Sequence, residues 1–273
     1  MILEIFSKIA SESLLSLYPV FVKHIRLNMA LQLWSRFFTY ACISAFFVDW
    51  TTITHHLFST TGLTIALVTI LHVFSSYKGF LELESGVAYT LFYMYPLLIL
   101  WMSGEPLQTP LFLAIFGIFL LCSPQLLQKS PETSWTGYVM IAIAAFTEAL
   151  IYFLVRNIKT ENNWNHVFLS YFWGAIGLSL WNHSYITHLN ARSSLSWAFA
   201  INMVIGLFGY WLRFFAASRL DPSIYAPLSY VGIVMAYLYG FVFSGEQVTL
   251  IKIVGTALIL AGAYLSSTST LKK

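Results

Sequence analysis

Long apolar stretches, separated by short polar segments, follow one another along the whole chain. They are continuous runs, unlike the short alternating segments of a membrane β-barrel, so they predict helices. A helix needs about 20 residues to cross a bilayer. We therefore predict ten spans, numbered in chain order: 2–23, 30–50, 62–80, 86–103, 111–127, 135–155, 167–185, 197–219, 224–243 and 250–265.

The composition places these helices in a membrane. Of the 273 residues, 58% are hydrophobic and only 9% are charged. An ordinary soluble domain carries about a quarter charged residues. A soluble domain of this size could not remove so much apolar surface from water. We therefore predict an all-α polytopic membrane protein.

Charge and motifs exclude several classes of function. The net charge of +3 is scattered and forms no basic stripe, so no nucleic-acid partner is expected. The chain has no phosphate-binding glycine loop and no His-Glu-x-x-His spacing, so we expect no ATP-driven engine, metal or cofactor. Cys42 and Cys122 lie in apolar stretches and are interpreted as small hydrophobic residues. Because no nucleophile, base or metal ligands converge, we do not expect an enzyme.

A weak internal repeat relates the two halves of the chain, residues 1–130 and 131–273. Four short segments of the first half recur in the same order and at nearly constant distance in the second: Glu12-Ser13-Leu14-Leu15 with Glu148-Ala149-Leu150-Ile151, Lys23-His24-Ile25-Arg26 with Arg156-Asn157-Ile158-Lys159, Leu83-Glu84-Ser85 with Leu220-Asp221-Pro222, and Ser103-Gly104-Glu105 with Ser244-Gly245-Glu246. Each half then contains five spans, an odd number, so the second must enter the membrane from the opposite side. We predict ten transmembrane helices as two inverted five-helix repeats in one integral membrane unit, an architecture typical of secondary transporters.

Several segments resemble one transporter family. They are Ser218-Arg219-Leu220-Asp221-Pro222-Ser223, then Ser244-Gly245-Glu246, then 255–262, and Leu33-Trp34-Ser35-Arg36-Phe37 in span 2. Together they are similar to the EamA-like, ten-span branch of the drug/metabolite transporter superfamily. The resemblance implies a bacterial inner membrane location, both termini in the cytoplasm, alternating access, and a central cavity lined mainly by spans 1, 3, 4, 6, 8 and 9.

Two glutamates related by the repeat are the first candidate site residues. Glu12 and Glu148 each lie near the middle of a predicted span, where a carboxylate is costly and usually faces a cavity or a partner. The pair could bind a cationic group or exchange protons. Alternatively, Lys8 lies one helical turn from Glu12 and could neutralise it. Glu148 has Tyr152 one turn further on and Arg156 two turns further on.

Two arginines lie inside predicted spans. Arg213 could clamp a carboxylate or phosphate if it faces the cavity, or could snorkel to the membrane surface. Arg36 lies in span 2, which is expected to be peripheral, so we expect it to snorkel or to form a structural pair. Aromatic side chains at helical spacing could stack on a planar substrate or enclose a cation, although packing is the alternative for each. The aromatic candidates are Tyr18, Tyr89, Tyr93, Tyr152, Tyr210 and Trp211.

Together these features predict a secondary transporter (a permease) that moves a small organic metabolite by alternating access. An acidic, aromatic cavity would favour an amino-acid-like, amine-bearing or zwitterionic substrate. Proton coupling, exchange and facilitated diffusion stay open, and the loop charges divide equally between the two sides, so they do not set the orientation. The expected partners are the substrate, protons and the lipid bilayer. The glycines of 174–177 and 255–262 could let helices pack closely, including helices of two copies, so a homodimer is a further option. A membrane-embedded enzyme and a non-transporting scaffold are the alternatives.

Overall fold

The computed structural model describes residues 2–83, 85–104, 109–127, 135–158, 160–182, 192–245 and 249–270. Every regular element in these ranges is a helix. The helices are α1 (Ile2–Leu15), α2 (Tyr18–His24), α3 (Met29–Ser44), α4 (Trp50–Leu57), α5 (Thr60–Glu82), α6 (Ser85–Phe92), α7 (Tyr95–Met102), α8 (Thr109–Leu127), α9 (Trp135–Asn157), α10 (Asn163–Trp181), α11 (Arg192–Ile201), a π-helical turn (Asn202–Leu207), α12 (Phe208–Ala217), α13 (Pro222–Ser229), α14 (Val231–Ser244) and α15 (Leu250–Thr270).

The ten predicted spans coincide with these helices. Spans 1, 4 and 9 are each broken into two helices, and span 8 is interrupted by the π-helical turn, while α4 is a short helix between spans 2 and 3. Five helical segments in the described part of the chain are long and apolar enough to cross a membrane: Ile2–Val22, Thr60–Glu82, Trp135–Asn157, Ser194–Ala217 and Pro222–Phe243. The chain is thus a helical integral membrane protein. Ten crossings and the inverted orientation of the halves stay predictions.

Polar residues in the loops fix where several helices begin. The side chains of Asn28, Ser59 and Asn162 accept hydrogen bonds from free backbone N–H groups in the first turns of α3, α5 and α10. Asp49 does the same for α4, and hydrogen bonds from the Thr52 and Thr51 hydroxyl groups lower the pKa of its carboxyl to about 2. The cap on α4 therefore keeps its charge throughout the physiological pH range.

The interruptions in the spans are produced by turns and prolines. Prolines occupy the first positions of α2 and α7, where the missing N–H breaks the helical ladder least. The break in span 1 lies against the break in span 9, because the Ser16 hydroxyl is 2.9 Å from the Gly232 carbonyl oxygen. Two matching turns end spans 4 and 9, where Gly104 and Gly245 both adopt a positive φ. Their neighbours Glu105 and Glu246, which carry the repeat at this point, lie outside the described residues.

The helix packing pairs the two halves of the chain. The largest interfaces join span 3 with span 6, span 5 with span 10, span 2 with span 7, and span 1 with span 8. If each span is replaced by its counterpart five spans along the chain, the interface of spans 3 and 6 becomes that of spans 8 and 1. The interfaces of spans 5 and 10 and of spans 2 and 7 stay the same. This is the contact pattern that an internal repeat requires. Large apolar side chains, such as Phe46, Trp135 and Leu180, are exposed on the outside of the bundle, where lipid would cover them.

Close packing at the π-helical turn leads to a testable prediction. A Cβ atom added at Gly206 would overlap the Tyr40 hydroxyl group and the Tyr18 ring. We expect Gly206→Ala to lower the free energy of unfolding by about 1–3 kcal/mol, the usual cost of overpacking a well-packed core. The matched control is Gly177→Ala, because nothing lies within 4 Å of a Cβ atom there. Thermal unfolding of the purified protein in detergent measures both; equal melting temperatures would contradict the prediction.

Candidate functional site

The buried charged side chains of the described residues converge near the middle of the helix bundle. Lys8 and Glu12 come from α1, Arg36 from α3, Glu148 from α9 and Arg213 from α12, and each is at most 3% exposed. A charge in the interior of an apolar bundle is costly unless another group compensates it. These five residues therefore mark the place where the fold concentrates its polar chemistry.

Of the two buried carboxylates, Glu12 has more hydrogen-bond and ion-pair partners than Glu148. It forms an ion pair with Lys8, one turn earlier on the same helix. The Tyr93 and Tyr95 hydroxyl groups donate hydrogen bonds to Oε2 and Oε1, each over 2.9 Å. Arg213 contacts the same two oxygens from 3.0 and 3.1 Å. Glu12 is therefore neutralised by both Lys8 and Arg213, so the neutralisation by Lys8 that the sequence left open is present.

Arg213 joins the two predicted glutamates. Its Nη1 atom donates to Glu148 Oε1 over 2.5 Å, while Nη2 reaches Glu12. The guanidinium group thus bridges a carboxylate of each half of the chain. Because it is buried and paired, Arg213 faces the interior, and the alternative in which it snorkels to the membrane surface is wrong.

His72 of α5 contacts the free side of Glu148. Its Nε2 atom lies 3.2 Å from Glu148 Oε2 and 3.3 Å from the Tyr210 hydroxyl oxygen. Its Nδ1 atom lies 3.1 Å from the Ala144 carbonyl oxygen. The tautomer with its proton on Nδ1 donates to this carbonyl oxygen, which can only accept. In that tautomer Nε2 carries no proton, and it donates to Glu148 only when the imidazole holds a second proton.

Arg36 is enclosed by aromatic rings. Its guanidinium carbon lies between 4.6 and 5.8 Å from five ring centroids, those of Tyr18, Tyr40, Tyr77, Tyr171 and Tyr210. Only 3% of the side chain is exposed. The expectation that Arg36 snorkels from a peripheral helix is therefore wrong, because α3 turns this side chain towards the centre of the bundle.

A small central cavity lies next to these charges. Its volume is about 30 Å³, which is room for roughly two water molecules. It is lined by residues of both halves: Leu15, Tyr18, Arg36, His72, Ser76, Tyr77, Phe80, Tyr89, Phe92, Tyr93, Tyr210 and Arg213. These come from spans 1, 2, 3, 4 and 8. The list of lining spans that the resemblance implies is thus corrected: span 2 contributes through Arg36, and no described residue of spans 6 and 9 lines the cavity.

The predicted site residues fall into three groups. Tyr18, Tyr89, Tyr93, Tyr210 and Arg213 line the central cavity. Glu12 and Glu148 lie directly behind Arg213 and are held in its ion pairs. Tyr152 and Trp211 are not among the described lining residues. The Tyr152 hydroxyl donates to the Leu220 carbonyl oxygen, and the Trp211 ring stacks on Phe215, so both pack away from the cavity.

Sequence reasoning missed two further groups at the site. His72 was visible as a lone polar residue of an apolar span, but nothing in the sequence paired it with Glu148, 76 positions away in the chain. Asn202 accepts a hydrogen bond from Tyr18 and donates one to Ser35 over 2.9 Å. It lies in the π-helical turn, an irregularity that often occurs at functional sites. No group of three metal-ligating side chains occurs among the residues that the structure describes.

A second, larger cavity opens at the edge of the bundle. It measures about 550 Å³ and lies between the end of α2 and the helices α11 and Asn202–Leu207, with Phe21, Trp197 and Val204 in its wall. The wall is predominantly apolar, with His24, Arg26 and Ser194 as its polar members. It lies away from the buried charges, so the smaller central cavity is the candidate site.

Apolar helices around a charged central cavity define the chain as a polytopic membrane protein with a polar core. Residues 135–268 match the model of the EamA-like transporter family, so an EamA-like transporter domain is detected in the second half of the chain. This confirms the resemblance to EamA-like transporters for these residues, while the ten-span branch stays a prediction.

Two individual proteins are similar to the chain. A protein from Sinorhizobium sp, described as an uncharacterized transporter in the cobO 3' region, is 37% identical over 71 residues, which is 26% of this chain and half of that relative's length. A solved structure, named only as the crystal structure of a protein, has a TM-score of 0.70 at 16% identity and covers 99% of both chains. The second likeness shows that the fold is shared over the whole chain.

Proposed function

We propose that the protein is a secondary transporter that moves a small organic metabolite across a bacterial inner membrane by alternating access. The observation that carries this proposal is the Arg213 bridge, which joins Glu12 of the first half to Glu148 of the second beside a central cavity. The transporter class rests on the matched EamA-like domain. Inverted halves and cytoplasmic termini are parts of the proposal that follow from the resemblance.

The ion pairs across the two halves would hold the closed state. Arg213 with Glu12 and His72 with Glu148 both connect the first half to the second. In a dry interior, separating such charges is expensive, but water that enters a widening cavity solvates them and reduces the cost. When the two halves rock, the ion pairs between them would therefore be replaced by contacts of the same charged groups with water or substrate. The cavity of about 30 Å³ would correspond to the closed arrangement.

The substrate must suit a site in which the acidic groups are already occupied. An amine would have to displace Lys8 or Arg213 from the carboxylates, whereas a zwitterionic, amino-acid-like metabolite would also meet the arginines. The aromatic lining suits a planar or apolar part. We therefore retain a zwitterionic metabolite as the substrate class and regard a substrate with only an amine as disfavoured.

The His72–Glu148 pair supplies a route for proton coupling. In the tautomer with its proton on Nδ1, a proton on Glu148 Oε2 would pass to the unprotonated Nε2 atom, 3.2 Å away. The transfer turns a neutral pair into an ion pair, and the reverse transfer neutralises both groups. Such a change alters the attraction between α5 and α9. Transport coupled to protons would use this exchange to favour one orientation of the halves.

Counterflow in liposomes tests the proposal. The purified full chain would be reconstituted into vesicles loaded in turn with unlabelled amino acids and with organic acids, and the uptake of the labelled counterpart would be followed without ATP. We expect uptake that depends on the internal solute and persists in its unmodified form. Uptake that requires ATP, chemical conversion without net movement, or no counterflow with any solute would contradict the proposal. Conversion would favour an enzyme, and inactivity a scaffold.

A further inference from the structure

Arg36 differs from the other buried cations of the described residues, which are Lys8 and Arg213. Those two have carboxylate partners, whereas the described polar partners of Arg36 are tyrosine hydroxyl groups, such as that of Tyr171, 3.2 Å from Nη2. Its Nε atom is buried and has no hydrogen-bond partner. The surrounding tyrosine rings attract a cation but bring no negative charge. A charge-balancing partner for Arg36 is therefore absent from the part of the chain that the structure describes.

The buried charges do not cancel as a set. Three cations, Lys8, Arg36 and Arg213, stand against two carboxylates, Glu12 and Glu148. This leaves one net positive charge among the described buried residues, and protonation of His72 would increase it. Uncompensated charge in a low-dielectric interior is strongly unfavourable. The site therefore favours the arrival of one negative charge from outside the chain.

The two arginines meet at the cavity. Both line it, and the Tyr210 ring lies 4.6 Å from the Arg36 guanidinium carbon and 5.3 Å from that of Arg213. The Nε atom of Arg213 is likewise buried without a hydrogen-bond partner. Two guanidinium groups with unused donors next to one cavity form a favourable environment for a carboxylate or phosphate group, whose oxygens match their planar forks.

We infer that Arg36 binds an anionic group, a carboxylate or phosphate, of the transported substrate, with Arg213 lining the same cavity. The inference rests on the proposed transport function and specifies its substrate class. The cavity of about 30 Å³ is too small for a whole metabolite, so it would have to widen when the substrate enters. The rest of the substrate would lie between aromatic walls, such as Tyr89 and Phe92, once the two halves move apart.

Three probes that share a benzyl group and differ in charge test the assignment. They are phenylacetate, 2-phenylethylamine and phenylalanine, added to the purified full chain while thermal unfolding is followed. We expect phenylacetate and phenylalanine, which both carry a carboxylate, to raise the melting temperature, and the amine to leave it unchanged. Arg36→Gln should weaken phenylacetate binding about 10- to 100-fold, since it removes charge-assisted hydrogen bonds. Arg36→Lys should weaken binding less, because it keeps the charge but loses the planar fork.

The matched control is Arg219→Gln, which removes an exposed arginine outside the cavity and should leave phenylacetate binding unchanged. Equal weakening in both glutamine variants would overturn the inference, as would stabilisation by the amine alone or by none of the probes. If Arg36→Gln does not fold, Arg36→Lys carries the comparison with the same control.

Chloride and inorganic phosphate separate a free ion from a substrate group. Stabilisation by these ions without any effect of phenylacetate would overturn the assignment to substrate. Liposome counterflow keeps the two proposals apart. Arg36-dependent binding with no solute movement would contradict transport and leave the anion site supported, whereas counterflow restricted to solutes without an anionic group would contradict the anion site and support transport.

Discussion

Replacing Arg213 with methionine will lower the free energy of unfolding by about 3–5 kcal/mol, the usual cost of breaking a buried ion pair from one side. The guanidinium group lies 2.5 Å from Glu148 Oε1 and 3.0 Å from Glu12 Oε2. Without it, Glu148 loses its nearest cation, and two carboxylates of like charge face each other in a buried site. Thermal unfolding of the purified protein in detergent, together with its yield from membranes, measures the effect.

A second substitution identifies the cause of that loss. Glu12 keeps its ion pair with Lys8 in Arg213→Met, whereas Glu148 is left without an arginine or lysine partner. Combining Arg213→Met with Glu148→Gln removes that carboxylate, so the double variant should recover part of the lost stability. Arg213→Lys is the conservative control and should be intermediate, since an ammonium group cannot bridge both carboxylates with the planar fork of arginine. A double variant less stable than Arg213→Met alone would contradict the account, because it would show that the glutamate matters for reasons other than this charge pair.

Glu148→Gln will abolish proton-driven transport while leaving the protein folded. Glutamine retains the shape and can still accept a hydrogen bond from Arg213, but it cannot exchange a proton with His72. Losing a positioned proton-transfer group typically slows a reaction about 100-fold or more. We expect a fall of this size in the initial rate of uptake driven by a pH gradient in liposomes.

Tyr152→Phe is the matched control for this experiment. Tyr152 lies one turn beyond Glu148 on α9, and its hydroxyl group contacts the Leu220 carbonyl oxygen and Arg156 rather than the cavity. This variant should keep gradient-driven uptake. Loss of the Glu148→Gln protein from the membrane, or a large drop in its melting temperature, would show that Glu148 has a structural role instead.

The course of the helices was predictable from the sequence, because long apolar runs are the strongest signal that such a chain carries. Each of the ten predicted runs overlaps at least one helix, although the end of span 7, residues 183–185, lies outside the described residues. The interruptions were harder to locate. No residue type specifies the π-helical turn of 202–207. That turn depends on contacts such as the one between Tyr18 and Asn202, which join positions far apart in the chain.

The members of the site were predictable individually, whereas their partners were not. Glu12, Glu148 and Arg213 stand out because charged residues are rare inside apolar spans. Their pairing depends on how α1, α9 and α12 pack against one another. The hydrophobic periodicity of a single helix carries no information about that packing. The inward position of Arg36 was not predicted, because its span was expected to be peripheral. In the structure Phe37 and Tyr40 of the same helix are buried as well, so the helix lies inside the bundle.

The π-helical turn determines how Asn202 and Arg213, the polar residues near the two ends of span 8, are rotated about the helix axis relative to each other. It inserts one extra backbone position between Asn202, which is tied to Tyr18 and Ser35, and Arg213, which reaches the glutamates. If the same residues were wound as regular α-helix, Arg213 would rotate by about 100° relative to Asn202, because the wider π-helical turn takes up one residue. Both anchors could then no longer dock at once. Substitutions that convert this turn into regular helix should therefore be far less tolerated than substitutions on its lipid-facing side.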